Sequence, residues 1–497
     1  MALGCRMDSL RFLLHDRDRK YTCAFDADFQ ADDMAAFEAV LGRTQGVSIT
    51  TKRGLPPLPA VPPLRSVIVV PSSVQFDGGI ATMRHRLRRR GGQQGERLVA
   101  LATVTAAIVS GMMVSGSGPA VAHAVVEPSV RSATASLRSD LEKYLDAQGT
   151  KDHFSAVSLR VTYADQRPDI SVDAGTSRYG GGRPVNSKAL WQIGSNTKAF
   201  TSVLLLQLEA EGKLSIRDKL GKWLPQYLAW RDVTIKQLLS MTSGIPSYTE
   251  QNAFLKDFDA NPSTRFTLER LMSYVEGLPL GPAKYEYSNT NYLLAQMIVE
   301  RASHDTYHER LAERIIEPLG MNDTCLPPDC PPDTASRMPT PYSTHSVLPK
   351  HLNKSLPRLR LSWAQGAGGL VSSLRDMTAW DRALYSGRLL PSAQQRELES
   401  LVSTKTSKPI KSVTADDPMG FGLGVVKLVH PVAGTVWAYE GATYGNRVLH
   451  MYFPKTGMII AIAVNSAVGE GDTLPDLAGT VYKTLSAQKA QALPRHQ

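Results

Sequence analysis

WQIGSNTKAFTSVLLLQLEAEGKL, residues 191–214, opens with polar residues and continues as an apolar run that a buried helix explains. Ser195 and Lys198 stand three apart, so on a helix they share a face and the lysine stem lies beside the serine hydroxyl. A serine hydroxyl is a poor nucleophile until a neighbouring base takes its proton, and a desolvated lysine is such a base at neutral pH. A helix N-terminus adds a positive end dipole and free N–H groups where an oxyanion would form. Gly212 occupies the position of a C-terminal cap. The S-x-x-K string alone is weak, because Ser486-Ala487-Gln488-Lys489 also matches and sits in a polar tail with no role assigned.

Working outward, residues 131–148 read as an amphipathic helix, with Leu137, Leu141, Tyr144 and Leu145 at helical spacing. Ala156–Tyr163 and Asp169–Ala174 alternate like paired strands. From Thr234 to about Leu319 the pattern is helical, broken by Gly244, Pro246, Pro262 and the Gly281-Pro282 turn. Strand signals return at Phe421–Leu428, Thr435–Tyr439, Arg447–Phe453 and Met458–Val464, followed by a helix from about Leu474 to Gln488. Pro454-Lys455-Thr456-Gly457 reads as the turn of the last hairpin. Strands and a helix at both ends with helices between predict an α/β plus all-α protein: an antiparallel sheet flanked by helices, an inserted helical lobe over about 234–360, and a cleft between them.

A second motif, Tyr287-Ser288-Asn289, follows the Gly-Pro turn and precedes an apolar helix. A loop there can point a phenol and an amide into the cleft. Tyr287 suits proton transfer between the serine and a leaving group, and Asn289 suits binding either a substrate carbonyl or Lys198. Y-x-N alone is no signal, since Tyr444-Gly445-Asn446 matches as well.

With both motifs in order, the chain from about 131 to 490 resembles the serine β-lactamase-like, penicillin-recognising superfamily. That family holds class C β-lactamases, D-alanyl-D-alanine carboxypeptidases, D-aminopeptidases and related esterases. KLSIRDKLGKWLPQY, TIKQLLSMTSGIPSY, YSNTNYLLAQMIVERAS, IIEPLGMNDT and QGAGGLVSSLRDMTAW stand in the family's order. The resemblance implies a β-lactamase/transpeptidase-like fold, no metal or other cofactor, and an amide- or ester-cleaving serine hydrolase working through a covalent acyl-enzyme. A non-hydrolytic penicillin- or peptidoglycan-binding or sensing domain is the alternative. The substrate class is a small molecule or peptide, including peptidoglycan-derived ones.

The family's third motif, K-T-G or H-x-G, is where this chain departs. Lys455-Thr456-Gly457 matches as a string but lies in the hairpin turn and reads as a decoy. Tyr439-Glu440-Gly441-Ala442, on the preceding strand, is the better counterpart. By the family pattern the Ala442 N–H joins that of Ser195 as an oxyanion hole, and Gly441 lets substrate approach the strand. Tyr439 replaces a cation that would recognise a free carboxylate, which lowers the expectation of β-lactam cleavage and raises that of ester or peptide cleavage. Arg447 is the one nearby candidate for the missing charge.

The net charge of +10 does not gather in the folded region. Between Met83 and Ala124 six arginines face the single Glu96, so 6 − 1 = +5 of it lies there. No polyanionic or nucleic-acid partner is implied. The run Arg84–Arg90, the apolar stretch Leu98–Val114 and Ala122-His123-Ala124 have the order of a secretory signal peptide over 83–124. Thr103, Thr105, Ser110 and Gly111 dilute the stretch below a firm membrane span. The expectation is an exported hydrolase domain at 125–497 with no lasting membrane anchor. Residues 10–40 resemble a fragment of the integrase core of insertion-sequence transposases, in which Asp16 or Asp18 would be a metal ligand. Partner carboxylates are missing, so 1–82 reads as a misassigned start or a fusion relic, with translation beginning at Met83 and a Pro-rich linker at 55–63.

Cys325 and Cys330 read as a short loop disulfide in an exported protein rather than half a zinc site. His304 and His308 have zinc-compatible spacing but no third ligand, and read as a solvated helix face. Trp191, Trp363, Trp380 and Trp437 read as core or cleft wall.

Overall fold

A computed structural model describes residues 10–14, 24–27, 67–70, 128–469 and 471–492, with side chains over 130–469 and 471–487. The chain divides into two units, Met1–Ser117 and Gly118–Gln497. In the first, Leu10–Leu14 pairs antiparallel with Ala24–Ala27 and with Val67–Val70. The signal peptide expected at 83–124 and the linker expected at 55–63 lie outside the described residues.

The second unit opens with helix α1, Pro128–Gln148, and three strands: β1 Ala156–Thr162, β2 Ile170–Arg178 and β3 Gly181–Pro184. Helices α2 Thr197–Ala210, α3 Thr290–Ser303 and α4 Leu374–Tyr385 follow. Seven strands come next: β4 Leu401–Ser403, β5 Pro409–Ile410, β6 Met419–Phe421, β7 Val426–His430, β8 Gly434–Ala442, β9 Arg447–Phe453 and β10 Met458–Val464. Helix α5, Leu474–Ala492, closes the unit. The strands form one sheet in the order β5-β4-β6-β7-β8-β9-β10-β1-β2-β3, so the early and late strands of this unit meet where β10 pairs with β1.

Period-two alternation gives this sheet two different faces. Val436, Leu449, Met451, Ile460, Ile462, Val157, Leu159 and Val161 pack on one side against Leu137 and Leu141 of α1 and Leu477 and Val481 of α5. The opposite side, with Trp437, Val448, Ala461 and Ala463, faces a second and larger core built around α2. The two alanines stand on β10, whose contacts include α4. Eleven of the 14 residues of α2 are buried, among them the polar Thr197, Lys198, Thr201 and Ser202. Lys213 N donates to Leu208 O at 3.0 Å and Gly212 N to Glu209 O at 2.9 Å, closing α2 with the expected glycine cap.

The helical lobe consists of short pieces. Ile235–Leu239 is started by a reciprocal capping box between Thr234 and Gln237, and Asn252–Ala260 and Leu268–Ser273 precede the long α3. Cys325 and Cys330 are bonded, with Cα atoms 5.2 Å apart. His304 and His308 do not share a helix face. His304 ends α3 in the left-handed region, with φ 61°, and His308 belongs to the next helix, Tyr307–Leu311. Among the described residues no cluster of three or more His, Cys, Asp or Glu could hold a metal, and no helix is long and apolar enough to cross a membrane.

Two strand expectations change. Phe421–Leu428 is two antiparallel strands, β6 and β7, joined by a tight turn in which Gly422 N donates to Val425 O at 2.7 Å. The apolar run FGLGVV hides this reversal. Gly424 adopts φ +81°, and a Cβ there would stand 2.8 Å from Ser202 Oγ and 3.0 Å from Lys198 O, so the turn is pressed onto α2. The strand expected at Thr435–Tyr439 continues to Ala442.

Candidate active site

Ser195 sits not inside an α-helix but in a single 3₁₀ turn, Gly194–Asn196, that leads into α2. The turn is wedged against the end of β8. A Cβ on Gly194 would lie 2.7 Å from the Ala442 nitrogen, and one on Gly441 would lie 2.6 Å from Asn196 Nδ2 and 2.7 Å from Asn196 N. Gly441 therefore admits the Ser195 turn to the strand, not a substrate as the sequence suggested. The missing side chains of Gly194 and Gly441 let the turn that holds Ser195 and the end of β8 approach backbone to backbone.

Three segments converge on the Ser195 hydroxyl. Lys198 Nζ lies 3.0 Å from Ser195 Oγ, 2.7 Å from Asn289 Oδ1 and 2.7 Å from Ala367 O. Tyr287 OH lies 2.6 Å from Ser195 Oγ and 3.1 Å from Tyr439 OH. The loop carrying Tyr287 and Asn289 is fixed to the lobe: Glu286 N donates to Met241 O at 2.9 Å and Asn289 N to Ser247 Oγ at 3.1 Å. Asn289 Nδ2 donates to Thr249 Oγ1 at 2.9 Å, which leaves Oδ1 for Lys198. Of the two roles open to Asn289 in the sequence, the geometry displays the contact with Lys198.

Lys198 is fully buried, and burial pushes its ammonium well below the usual lysine value. Its N–H groups point at Ser195 Oγ, Asn289 Oδ1 and Ala367 O, so loss of one proton from Nζ would leave a lone pair aimed at the Ser195 hydroxyl. Burial also pushes the Tyr287 phenol up to about 12 and holds Tyr439 well above the ordinary phenol value, so both remain O–H donors. Tyr287 donates its one proton to Ser195 Oγ, so its oxygen accepts from Tyr439, while Lys198 Nζ donates to the same Ser195 oxygen. Tyr439 is thus one hydroxyl removed from Ser195.

The cleft beside Ser195 has a volume of about 560 Å³. Trp363 and Tyr444 form one wall, their rings 4.9 Å apart. Of the other tryptophans, Trp191 and Trp380 are fully buried and Trp437 belongs to the core. Glu250 and Glu440 line the cleft, but no lysine or arginine is among its lining residues. Arg447 is not the missing cation. It is 1% exposed and bound to Asp472, to Asp152 at 3.2 Å and to Ser466 O at 3.1 Å. Glu440 is pushed up chiefly by burial and by its pairing with Asp472. Lys455 is exposed in the β9–β10 turn, and Ser486 is exposed on α5.

Sequence reading missed Ala367, Thr249 and Tyr444, whereas Trp363 stands in the cleft wall, one of the two places read for it. Ala367 lies within the QGAGG stretch, whose order in the chain was a usable signal. Thr249 and Tyr444 carried none. Tyr444 stands in the Y-x-N string that looked empty, and Asn446 of that string donates to Val464 O at 3.3 Å.

The sequence profile of the Beta-lactamase family matches residues 136–480. Penicillin-binding protein 4* of Bacillus subtilis (strain 168) is 28% identical over 327 residues, covering 62% of this chain and 67% of that protein. A D-stereospecific amidohydrolase from Streptomyces sp. superposes with TM-score 0.56 at 27% identity, covering 72% of this chain and 99% of the other. The D-amino acid amidase from Ochrobactrum anthropi SV3, complexed with L-phenylalanine amide, shares the fold with TM-score 0.59 at 22% identity, covering 73% and 99%.

Proposed function

We propose, from the premise that this chain belongs to the Beta-lactamase family, that it is a serine hydrolase cleaving amides or esters through an acyl-enzyme on Ser195. The observation that carries the reading is the Ser195 hydroxyl held between a buried, carboxylate-free Lys198 at 3.0 Å and Tyr287 at 2.6 Å. Lys198 takes the Ser195 proton as Oγ bonds to the substrate carbonyl carbon. The Ser195 and Ala442 N–H groups hold the oxyanion, and Tyr287 relays the proton held by Lys198 to the departing amine or alkoxide, which returns Lys198 to the neutral base. Water then adds to the acyl carbon, giving its proton back through Lys198 as Ser195 leaves.

The cleft supports an acyl donor without a free carboxylate. Its lining carries Glu250 and Glu440 and no lysine or arginine, and Arg447 is occupied by Asp152 and Asp472. Neutral amides and esters suit that lining better than penicillins or D-Ala-D-Ala termini, because no lysine or arginine there can pair with a substrate carboxylate. The amidohydrolase and amidase relatives agree with this choice, and residues 83–124 are proposed to direct export.

Two measurements test the reading. A serine-directed phosphonate should label Ser195 and nothing in the Ser195→Ala protein. A panel of chromogenic esters, D-amino-acid amides, D-Ala-D-Ala peptides and a chromogenic cephalosporin should turn over in that order of preference. Labelling without turnover of any substrate would favour a binding or sensing domain. Edman sequencing of the exported protein should begin at Val125; an N-terminus at Met1 in the cytoplasm removes the export proposal.

A further inference from the structure

Behind the Ser195 turn lies a group of buried polar side chains that the proposed reaction does not use. Asn196, 1% exposed, donates from Nδ2 to Ile193 O at 3.0 Å and to Val448 O at 2.9 Å. Two carbonyls around one atom identify it as the amide nitrogen, so Oδ1 is the atom 3.0 Å from His450 Nδ1. An amide oxygen only accepts, and Nδ1 must therefore carry a proton. Burial pushes His450 down to about 3, which keeps the ring neutral and leaves Nε2 as an acceptor. Tyr385 OH stands 2.9 Å from Nε2 and donates to it. The histidine tautomer is fixed from both sides.

Asp381, one helical turn before Tyr385 on α4, adds to this. It is fully buried, one of its oxygens lies 3.5 Å from His450 Nδ1, and neither oxygen has a hydrogen-bond partner among the described residues. An orphaned buried carboxyl is unfavourable, and the group it faces is the N–H that its oxygen favours. His450 is also the register partner of Tyr439, so their side chains leave the sheet on the same face. One reaches the Ser195 hydroxyl through Tyr287, and the other reaches the Ser195 backbone through Asn196.

We infer that Asp381, Tyr385, His450 and Asn196 form a positioning relay that locks the Ser195 turn against β8 and β9, presetting the Ser195 and Ala442 amides before substrate arrives. The inference rests on reading Ser195 as the nucleophile. None of the four touches substrate; all act through the backbone of the turn.

The test compares full-length wild type with Asn196→Ala, His450→Phe, His450→Gln and Tyr385→Phe. Thermal melts, steady-state kinetics on one chromogenic ester, the rate of phosphonate labelling at Ser195, and 15N NMR of labelled histidine are read for each. In His450→Phe and Asn196→Ala, kcat should fall by about tenfold or more with KM within about twofold, because a misplaced oxyanion hole harms the transition state more than the ground state. Labelling should slow by the same factor yet still reach completion. His450→Gln keeps an N–H near Asn196 and should recover most of kcat. Tyr385→Phe removes one hydroxyl, should keep the fold, and should convert the His450 signal from a pure Nδ1–H form to a mixture while lowering kcat about threefold.

Unchanged kcat in a folded His450→Phe or Asn196→Ala protein overturns the relay. So does a loss of activity fully matched by a smaller labelled fraction at unchanged rate, since that is unfolding. If both variants fail to fold, Tyr385→Phe decides: a tautomer mixture with wild-type kcat and labelling rate overturns it, as does a wild-type ring protonated on Nε2. Absence of any labelling or turnover in the wild type is the distinct mark of a wrong nucleophile and takes the relay with it.

Discussion

The two faces of the ten-stranded sheet are made by the same strands and do opposite jobs. Toward α1 and α5, β9 and β10 present Leu449, Met451, Ile460 and Ile462, all apolar. Toward α2 and α4, the next residues along β9 and β8 are His450 and Tyr439, buried with polar partners. Burying apolar area stabilises at about 25 cal/mol per Å², whereas each buried polar group must find a partner merely to avoid a penalty. The difference teaches that one face holds the sheet together while the other spends some of that stability on geometry at Ser195.

The comparison breaks first, and most sharply, at Ser195 and Lys198. Ser195→Ala should abolish turnover, and Lys198→Ala should lower kcat by about 10²–10⁴-fold, both with near-wild-type melting. In the wild type, kcat/KM should rise with pH as Lys198 loses its proton, and should level off well below the ordinary lysine value of 10.5. An acid limb near that ordinary value would mean that Lys198 stays an ammonium.

Tyr439→Phe comes next on the polar face. It removes the donor to Tyr287, and kcat/KM on a good ester should drop by roughly tenfold with the melt unchanged. Wild-type turnover there would detach Tyr439 from the site. On the apolar face the expected pattern inverts. Ile462→Ala leaves a cavity beneath α1 and α5 and should cost about 2–5 kcal/mol in denaturant unfolding, with kcat per folded molecule preserved. A fall in kcat without destabilisation would erase the distinction between the faces.

The smallest effect belongs to Lys455→Ala, in the exposed hairpin turn. Stability should move by no more than about 0.5 kcal/mol and turnover should stay intact. Loss of activity there, alongside an active Tyr439→Phe protein, would shift the third motif to Lys455 and revive carboxylate recognition.

Much of the architecture was legible because it is written in local periodicity. Spacing in residues 131–148 and the strands at 447–453 and 458–464 match α1, β9 and β10, and the S-x-x-K spacing brought Lys198 to Ser195 whether the turn is α or 3₁₀. The β6–β7 reversal was hidden because glycine hairpins inside an apolar run carry no periodicity signal.

Sequence order alone determined the family resemblance, the pairing of Ser195 with Lys198 and the arrival of Tyr287 and Asn289 after a Gly-Pro turn. Only tertiary structure decided that Gly441 accommodates the Ser195 turn, that Arg447 is consumed by Asp152 and Asp472, that Tyr439 acts through Tyr287, and that His450 stands behind Asn196. The reason is physical: periodicity fixes which face of an element a residue occupies, but what that face meets depends on contacts between residues far apart in the chain, 254 positions for Asn196 and His450 and 295 for Asp152 and Arg447.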